Sequence, residues 1–381
     1  MLKSGVLDPT SKPKRLLSID GGGIRGVIAA EILIRIENAL EQHTGVGRIA
    51  DHFHLIGGTS TGAILAAGLA LGKRASELRD FYLQCGAAMF KKAWLIGRLW
   101  HRYTSKPLAR ELQQVFGDAS LGSEQLGTLL MIVSKNATTG SPWFFINNPK
   151  NPYYNCNAHL PLWKIVSASA AAPTYFPPET MVIPDRQGKT SSHEFIDGGM
   201  SMFNNPSFQL FLEATHPNYH LGWQTGPENI LLVSVGTGFA PVKIPPGAAA
   251  HKTLLGWAGY AITDLMEDAN VHQNVLMQLI SRVPHPQFID RELGSGVPTG
   301  PALRNLVGNL LLTYHRYTVS FTKERLDRLG LADIDPEKVS KMDAVDQIEN
   351  LQRIGQKVAE EQVRPEDITA FFPFSRAAAQ G

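Results

Sequence analysis

The sequence is poor in cysteine. Cys85 and Cys156 are the only two in 381 residues. Two thiols make no disulfide framework and cannot by themselves complete a zinc site. An excess of one charge is also lacking: the formal net charge is +2, which gives no bulk electrostatic case for a nucleic acid polymer. No stretch of about 18 apolar residues runs without polar interruption, which argues against a transmembrane helix. The opening Met1-Leu2-Lys3-Ser4-Gly5 lacks the apolar segment of a signal peptide. The expectation is a cytosolic, soluble protein. No His-Glu-x-x-His and no Cys/His cluster occurs, so neither a catalytic metal nor a cofactor is expected. No Gly-Lys-Ser/Thr follows a glycine-rich turn, which excludes a P-loop.

What is present is a chain with 43% hydrophobic and 18% charged residues, able to bury a substantial core. Its centre is Leu55-Ile56-Gly57-Gly58-Thr59-Ser60-Thr61-Gly62-Ala63. An apolar run enters Gly-x-Ser-x-Gly and a small-residue helical stretch leaves it, the pattern of a nucleophile elbow. Gly58 and Gly62 free the turn of side-chain clashes, and Ser60 sits at a helix N-terminus, where partial positive charge favours an anion. A second stretch, Leu16 to Asp20, reads as a strand. Gly21-Gly22-Gly23-Ile24-Arg25-Gly26 follows it, and then an apolar, helix-spaced segment from Val27 to about Leu40. A glycine-rich turn between strand and helix exposes several backbone N–H groups in one concavity. Far downstream, Phe195-Ile196-Asp197-Gly198-Gly199 places a carboxylate at the end of an apolar run. Together these pieces supply an oxyanion hole, a serine and a base.

Gly21-x-Gly23-x-x-Gly26 formally matches a dinucleotide fingerprint. The acidic residue expected about 20 positions on is not placed at a strand end, which counts against it. Composition leaves a Ser-His-Asp arrangement open, since there are 12 histidines. His193, within the polar run Ser191-Ser192-His193, reads as a solvated loop residue; His52 and His54, before the elbow strand, read as structural. Asp20 reads as a structural cap of the glycine loop. Arg25 stays protonated and cannot be a base; it steadies the loop through a carboxylate or attracts a lipid phosphate.

Ser18-Ile19-Asp20-Gly21-Gly22-Gly23-Ile24-Arg25-Gly26, Gly58-Thr59-Ser60-Thr61-Gly62 and Asp197-Gly198-Gly199 resemble, in order and spacing, the three motifs of the patatin-like phospholipase family. Ala168 to Phe176 and Asn204-Asn205-Pro206 add two secondary similarities, so the resemblance covers roughly Lys14 to Gly238. It implies a three-layer α/β fold with a central, mostly parallel sheet flanked by helices. It also implies hydrolysis of acyl esters of membrane phospholipids by a dyad, in which Ser60 attacks and Asp197 accepts the proton. The amides of Gly22 and Gly23, with that of Thr61, would receive the oxyanion, and the loop role of Arg25 would matter more than phosphate attraction. Some similar bacterial phospholipases are switched on by cyclic dinucleotides in anti-phage defence, so a gated enzyme stands beside an ungated acyl hydrolase. A catalytically silent binding protein would need a broken motif, and all three are intact.

Organisation along the chain follows. Residues 1–13 read as a flexible arm, 14–240 as the catalytic domain, 241–376 as a helical C-terminal extension packed on it and 377–381 as a tail. Within the catalytic domain, 76–116 reads as a helical insertion and candidate lid. There Met89, Ala93, Ile96, Trp100 and Tyr103 share one helical face, and Lys91, Lys92, Arg98, His101 and Arg102 lie mostly opposite. Such a helix either packs on the core or lies at a lipid surface. The expected partners are therefore a membrane lipid, met peripherally at the inner membrane surface, and a cyclic dinucleotide activator; the oligomeric state is open. The stretch Asn229 to Val235 reads as an apolar strand running into Gly236-Thr237-Gly238, Pro284 to Pro301 as loop, and Leu310 to Phe321 as strand-like.

Overall fold

A computed structural model describes residues 5–89, 105–240, 244–290, 295–296 and 308–372. The elements in chain order are β1 (Lys14–Ile19), α1 (Gly26–Thr44), β2 (Leu55–Thr59), α2 (Thr61–Ala70), α3 (Ala75–Met89), α4 (Ser105–Phe116), β3 (Leu129–Asn136) and β4 (Ser141–Ile146). Next come α5 (Tyr154–Asn157), α6 (Leu162–Ser169), β5 (Glu179–Pro184), β6 (Thr190–Asp197), α7 (Ser207–Thr215), β7 (Ile230–Val235), α8 (Leu254–Ile280) and β8 (Ser281–Arg282). The chain ends through β9 (Phe288–Asp290), β10 (Ser295–Gly296), β11 (Leu312–Tyr317), α9 (Lys323–Arg328), α10 (Pro336–Val339), α11 (Ile348–Gln362) and α12 (Pro365–Thr369).

Nine strands form one sheet in the order β5-β6-β3-β2-β1-β7-β11-β8, with β4 also paired to β3. From β3 to β8 the neighbours run parallel; β4, β5 and β6 join antiparallel. The strands are apolar on both sides because both faces are covered, as a parallel sheet requires. Leu17, Ile19, Ile56, Leu130, Leu231 and Val233 pack in one cluster with the helices on one face. Leu16, Leu55, Leu129, Met131 and Leu232 point the other way, against Leu210 and Phe211 of α7 and Met277 of α8. This is the expected three-layer α/β arrangement.

Three expectations need correction. Val6 is buried, and the carbonyls of Gly5 and Asp8 accept from Lys14 Nζ at 2.5 and 2.6 Å, so this part of the arm is anchored to the start of β1 rather than loose. The C-terminal extension is not only helical: β8 joins the central sheet, and so does β11, which falls within the stretch Leu310 to Phe321 read as strand-like and lies in register beside β7. Within Pro284–Pro301, β9 and β10 pair as a short antiparallel ribbon instead of remaining loop. The candidate lid supplies α3 and α4, but residues 90–104, which carry most of the basic, tryptophan-bearing face, lie outside the described residues, as does the 377–381 tail.

Candidate active site

Ser60 stands between β2 and α2 with φ 55° and ψ −120°. A non-glycine residue in that region is strained by about 1–3 kcal/mol, and here the surroundings enforce it. The Ser60 amide donates to Ser169 Oγ at 2.9 Å, and Ser169 Oγ donates to the Val133 carbonyl at 2.5 Å. On the helical side, the Ser60 carbonyl accepts from the Ala63 amide at 2.9 Å. Gly62 is required by close approach: a Cβ there would lie 2.2 Å from the Ile19 carbonyl of β1. A Cβ at Gly58 would meet the Gly62 carbonyl at 2.0 Å. The elbow is thus squeezed between its own helix and the neighbouring strand.

Sheet register brings the carboxylate to the serine. Thr59 pairs with Val133, and Asp197 pairs with the next residue of β3, Ser134. β2 runs parallel to β3 and β6 antiparallel, so their C-terminal ends converge on adjacent residues of one strand. The Ser60 hydroxyl acts on the Asp197 carboxylate and lowers its pKa, and Asp197 Oδ1 accepts from the Gly199 amide at 2.7 Å. Gly198 lets this turn close, since a Cβ there would sit 2.4 Å from the Val133 carbonyl. Asp197 is only 5% exposed. Burial raises its pKa to about 6, against the lowering effects of the Ser60 hydroxyl and Gly199 amide. A carboxylate made more basic by desolvation suits a proton acceptor near neutral pH.

The glycine loop lies across the top of the same strands. Gly23 has φ 60°, and a Cβ on it would meet the Met342 carbonyl at 2.2 Å. Most backbone groups here are engaged. The Gly21 amide donates to the Asn204 carbonyl at 3.1 Å, the Gly21 carbonyl accepts from Thr237 Oγ1 at 2.7 Å, and the Ile24 amide donates to the Met342 carbonyl at 2.9 Å. Among the described residues, no hydrogen-bond acceptor is found for the amides of Gly22 and Gly23. Arg25, 6% exposed, donates from Nε to the Gly22 carbonyl at 3.2 Å and from Nη1 to the Ser340 carbonyl at 3.3 Å. Both bonds tie it into the loop, and the charge of Glu267 acts on it as well. Gly26 starts α1, where a Cβ would strike Thr61 Oγ1 at 2.3 Å.

His193 differs from expectation. It is on β6, not in a loop. Its Nδ1 lies 3.1 Å from Asn136 Nδ2 and its Nε2 2.8 Å from Ser191 Oγ, and its ring rests 5.8 Å from that of Trp143. His54 Nδ1 accepts from the Arg15 amide at 3.0 Å, in a structural role. Asp20 is more than a loop cap: it pairs with Arg316, 296 residues away. Neither Arg316 nor Ser169 nor Met342 was singled out as a site residue from sequence. Thr237 was visible only as part of a glycine-rich turn. Among the described residues, no group of three or more His, Cys, Asp or Glu is placed to hold a metal ion.

An asymmetric pH profile follows from this geometry. Asp197 accepts a proton only when ionised, so kcat/KM for a neutral ester should rise with pH through about 6 and stay flat above it, until some other group titrates. Steady-state rates on a short soluble ester from pH 4.5 to 8.5 measure this. A profile level down to pH 4.5 would remove Asp197 as the base.

A family model described as patatin-like phospholipase matches residues 17–210. A cGAMP-activated phospholipase of Escherichia coli (strain TW11681) is 31% identical over 286 residues, covering 70% of this chain and 76% of the relative. Another, from Vibrio cholerae serotype O1 (strain ATCC 39315 / El Tor Inaba N16961), is 37% identical over 253 residues, covering 63% and 68%. Patatin-17 of Solanum cardiophyllum is 32% identical over 237 residues, covering 58% and 60%.

Proposed function

Because this chain belongs to the patatin-like phospholipase family and is a lipid acyl hydrolase, we propose that Ser60 and Asp197 carry its chemistry as a dyad. The single observation that carries this reading is the elbow serine that sheet register sets beside a buried carboxylate of raised pKa, on which its hydroxyl acts. Ser60 Oγ attacks the acyl carbonyl while Asp197 takes its proton. The charge that develops on the carbonyl oxygen is received by the amides of Gly22 and Gly23, with that of Thr61 at the start of α2. One such donor is worth about 2.7–4 kcal/mol in the transition state. The tetrahedral intermediate collapses to an acyl-enzyme as Asp197 returns the proton to the leaving alcohol. Water then repeats the sequence, with Asp197 as base, to release the fatty acid. The substrate is a membrane glycerophospholipid.

Among the described residues no helix is long and apolar enough to cross a membrane. We propose that the basic, tryptophan-bearing stretch from Met89 to Tyr103 makes peripheral contact with an anionic lipid surface, at the cytoplasmic face of the inner membrane.

A second reading, activation by a cyclic dinucleotide, is favoured by the two relatives named cGAMP-activated phospholipase. It is also favoured by a cavity of about 430 Å³ beside the glycine loop. Arg25, Asn204, Tyr175, Phe321, Glu267 and Lys341 line it. That set offers aromatic faces for bases, amide and carboxylate groups for base edges and cations for phosphate. Phospholipid vesicle hydrolysis measured with and without a panel of cyclic dinucleotides tests this reading. The expected result is at least a tenfold rise with one of them. Full activity without any would make the enzyme an ungated acyl hydrolase.

A further inference from the structure

The glycine loop has wide backbone freedom, yet its two amides must hold one direction for an oxyanion. Beside the Asn204 carbonyl that holds the Gly21 amide, several of the ties that fix it come from later in the chain. Asp20 ends the first strand, immediately before Gly21. Its Oδ1 accepts from Arg316 Nη1 at 2.8 Å and its Oδ2 accepts from Arg316 Nη2. The two side chains are 3% and 7% exposed. Arg316 Nη1 also donates to Ser234 Oγ at 2.8 Å, so β7 holds the fork from below. The register explains the reach. Arg316 pairs with Ser234 and Ser234 with Ser18 across three adjacent parallel strands, and Asp20 lies two residues beyond Ser18. The guanidinium therefore spans β7 to meet the end of β1.

Other ties surround this one: Thr237 Oγ1 on the Gly21 carbonyl, the Met342 carbonyl on the Ile24 amide, and the Ser340 carbonyl on Arg25. All of these partners lie beyond residue 210, where the family match ends. The amides left over are those of Gly22 and Gly23. We propose that Arg316 is a positioning residue for acyl transfer, acting through Asp20 to fix the direction of the Gly22 and Gly23 amides. A two-pronged guanidinium–carboxylate pair sets orientation as well as distance, which a lysine ammonium does not. A buried ion pair adds little net stability over apolar packing of the same volume. Its consequence here is the geometry of the loop it precedes.

The proposal rests on the acyl-hydrolase reading and deepens it. Losing one partner alone strands a buried charge, so the test uses the Asp20→Asn/Arg316→Gln double variant, with Arg316→Lys as the conservative variant. Three quantities are read on full-length protein well below its melting temperature. They are kcat and KM on a short soluble ester, the Ki of a trifluoromethyl ketone that forms a hemiketal oxyanion on the serine, and the Ki of the matching ether, which forms none. The expected result for the double variant is a kcat 10- to 100-fold lower with KM within twofold. The trifluoromethyl ketone should weaken by a similar factor while the ether keeps its Ki. Arg316→Lys should fall between the double variant and the wild type, and it carries the same test if the double variant does not fold. A folded variant with kcat within threefold of wild type overturns the proposal. Equal weakening of both inhibitors does so too, because that is the mark of a distorted pocket. If the wild type shows no ester hydrolysis that Ser60→Ala removes, the dyad reading falls first and this proposal with it.

Discussion

Ser60→Ala should lower kcat on both phospholipid and short ester by about four to six orders of magnitude, the scale seen when a serine hydrolase loses its nucleophile. The fold should survive. Alanine meets the same strain as serine at φ 55°, and the bond that holds the elbow in place, Ser60 amide to Ser169 Oγ, uses only backbone from residue 60. The substitution takes away the hydroxyl that acts on Asp197 and lowers its pKa. Without it the carboxylate keeps the Gly199 amide, and its pKa should climb further, since an effect that lowered it is gone. Hydrolysis assays together with circular dichroism melting make the measurement. A folded variant that keeps a tenth of wild-type activity would show that the nucleophile is elsewhere.

Asp197→Asn should be as inactive as Ser60→Ala, and the double variant no worse than either, because groups acting as a unit are not additive. Stability separates this loss from misfolding. Asp197 is held with its pKa at about 6 instead of 3.8, so ionising it in the native state costs about 3 kcal/mol. Asparagine has the same shape and no charge. The variant should therefore melt at or above the wild-type temperature at pH 7, and its advantage should shrink as pH falls from about 6 to about 4. Below that the carboxyl is protonated in both folded and unfolded chains and the difference vanishes. His193→Ala should keep most of the activity, since that ring is engaged with Asn136 and Ser191. A dead, folded His193→Ala beside an active Asp197→Asn would exchange the dyad for a serine–histidine pair.

The motifs were legible because local backbone chemistry demands particular residues. An elbow that brings its helix within van der Waals range of the adjacent strand admits only glycine at 62. A loop residue at φ 60° against the Met342 carbonyl admits only glycine at 23. Such constraints act within a few residues, so they leave a pattern in the chain. Short apolar runs likewise marked β1, β2, β3 and β7, whose two faces are covered so that nearly every residue is buried. The C-terminal third was harder to read. Leu312–Tyr317 alternates charged and polar groups with apolar ones, and its role as a central strand depends on having β7 as a neighbour.

By itself, then, the sequence determined the α/β class and marked the elbow, the glycine loop and the acidic turn as candidate site segments, since each is written in contiguous residues whose local geometry allows few alternatives. Tertiary structure alone decided how they meet. Ser60 reaches Asp197 because β2 and β6 end on neighbouring residues of β3, and Asp20 reaches Arg316 because β11 lies one strand beyond β7. Strand order is fixed by how the whole set of apolar faces buries itself, a property of the assembled sheet that no window of the chain contains.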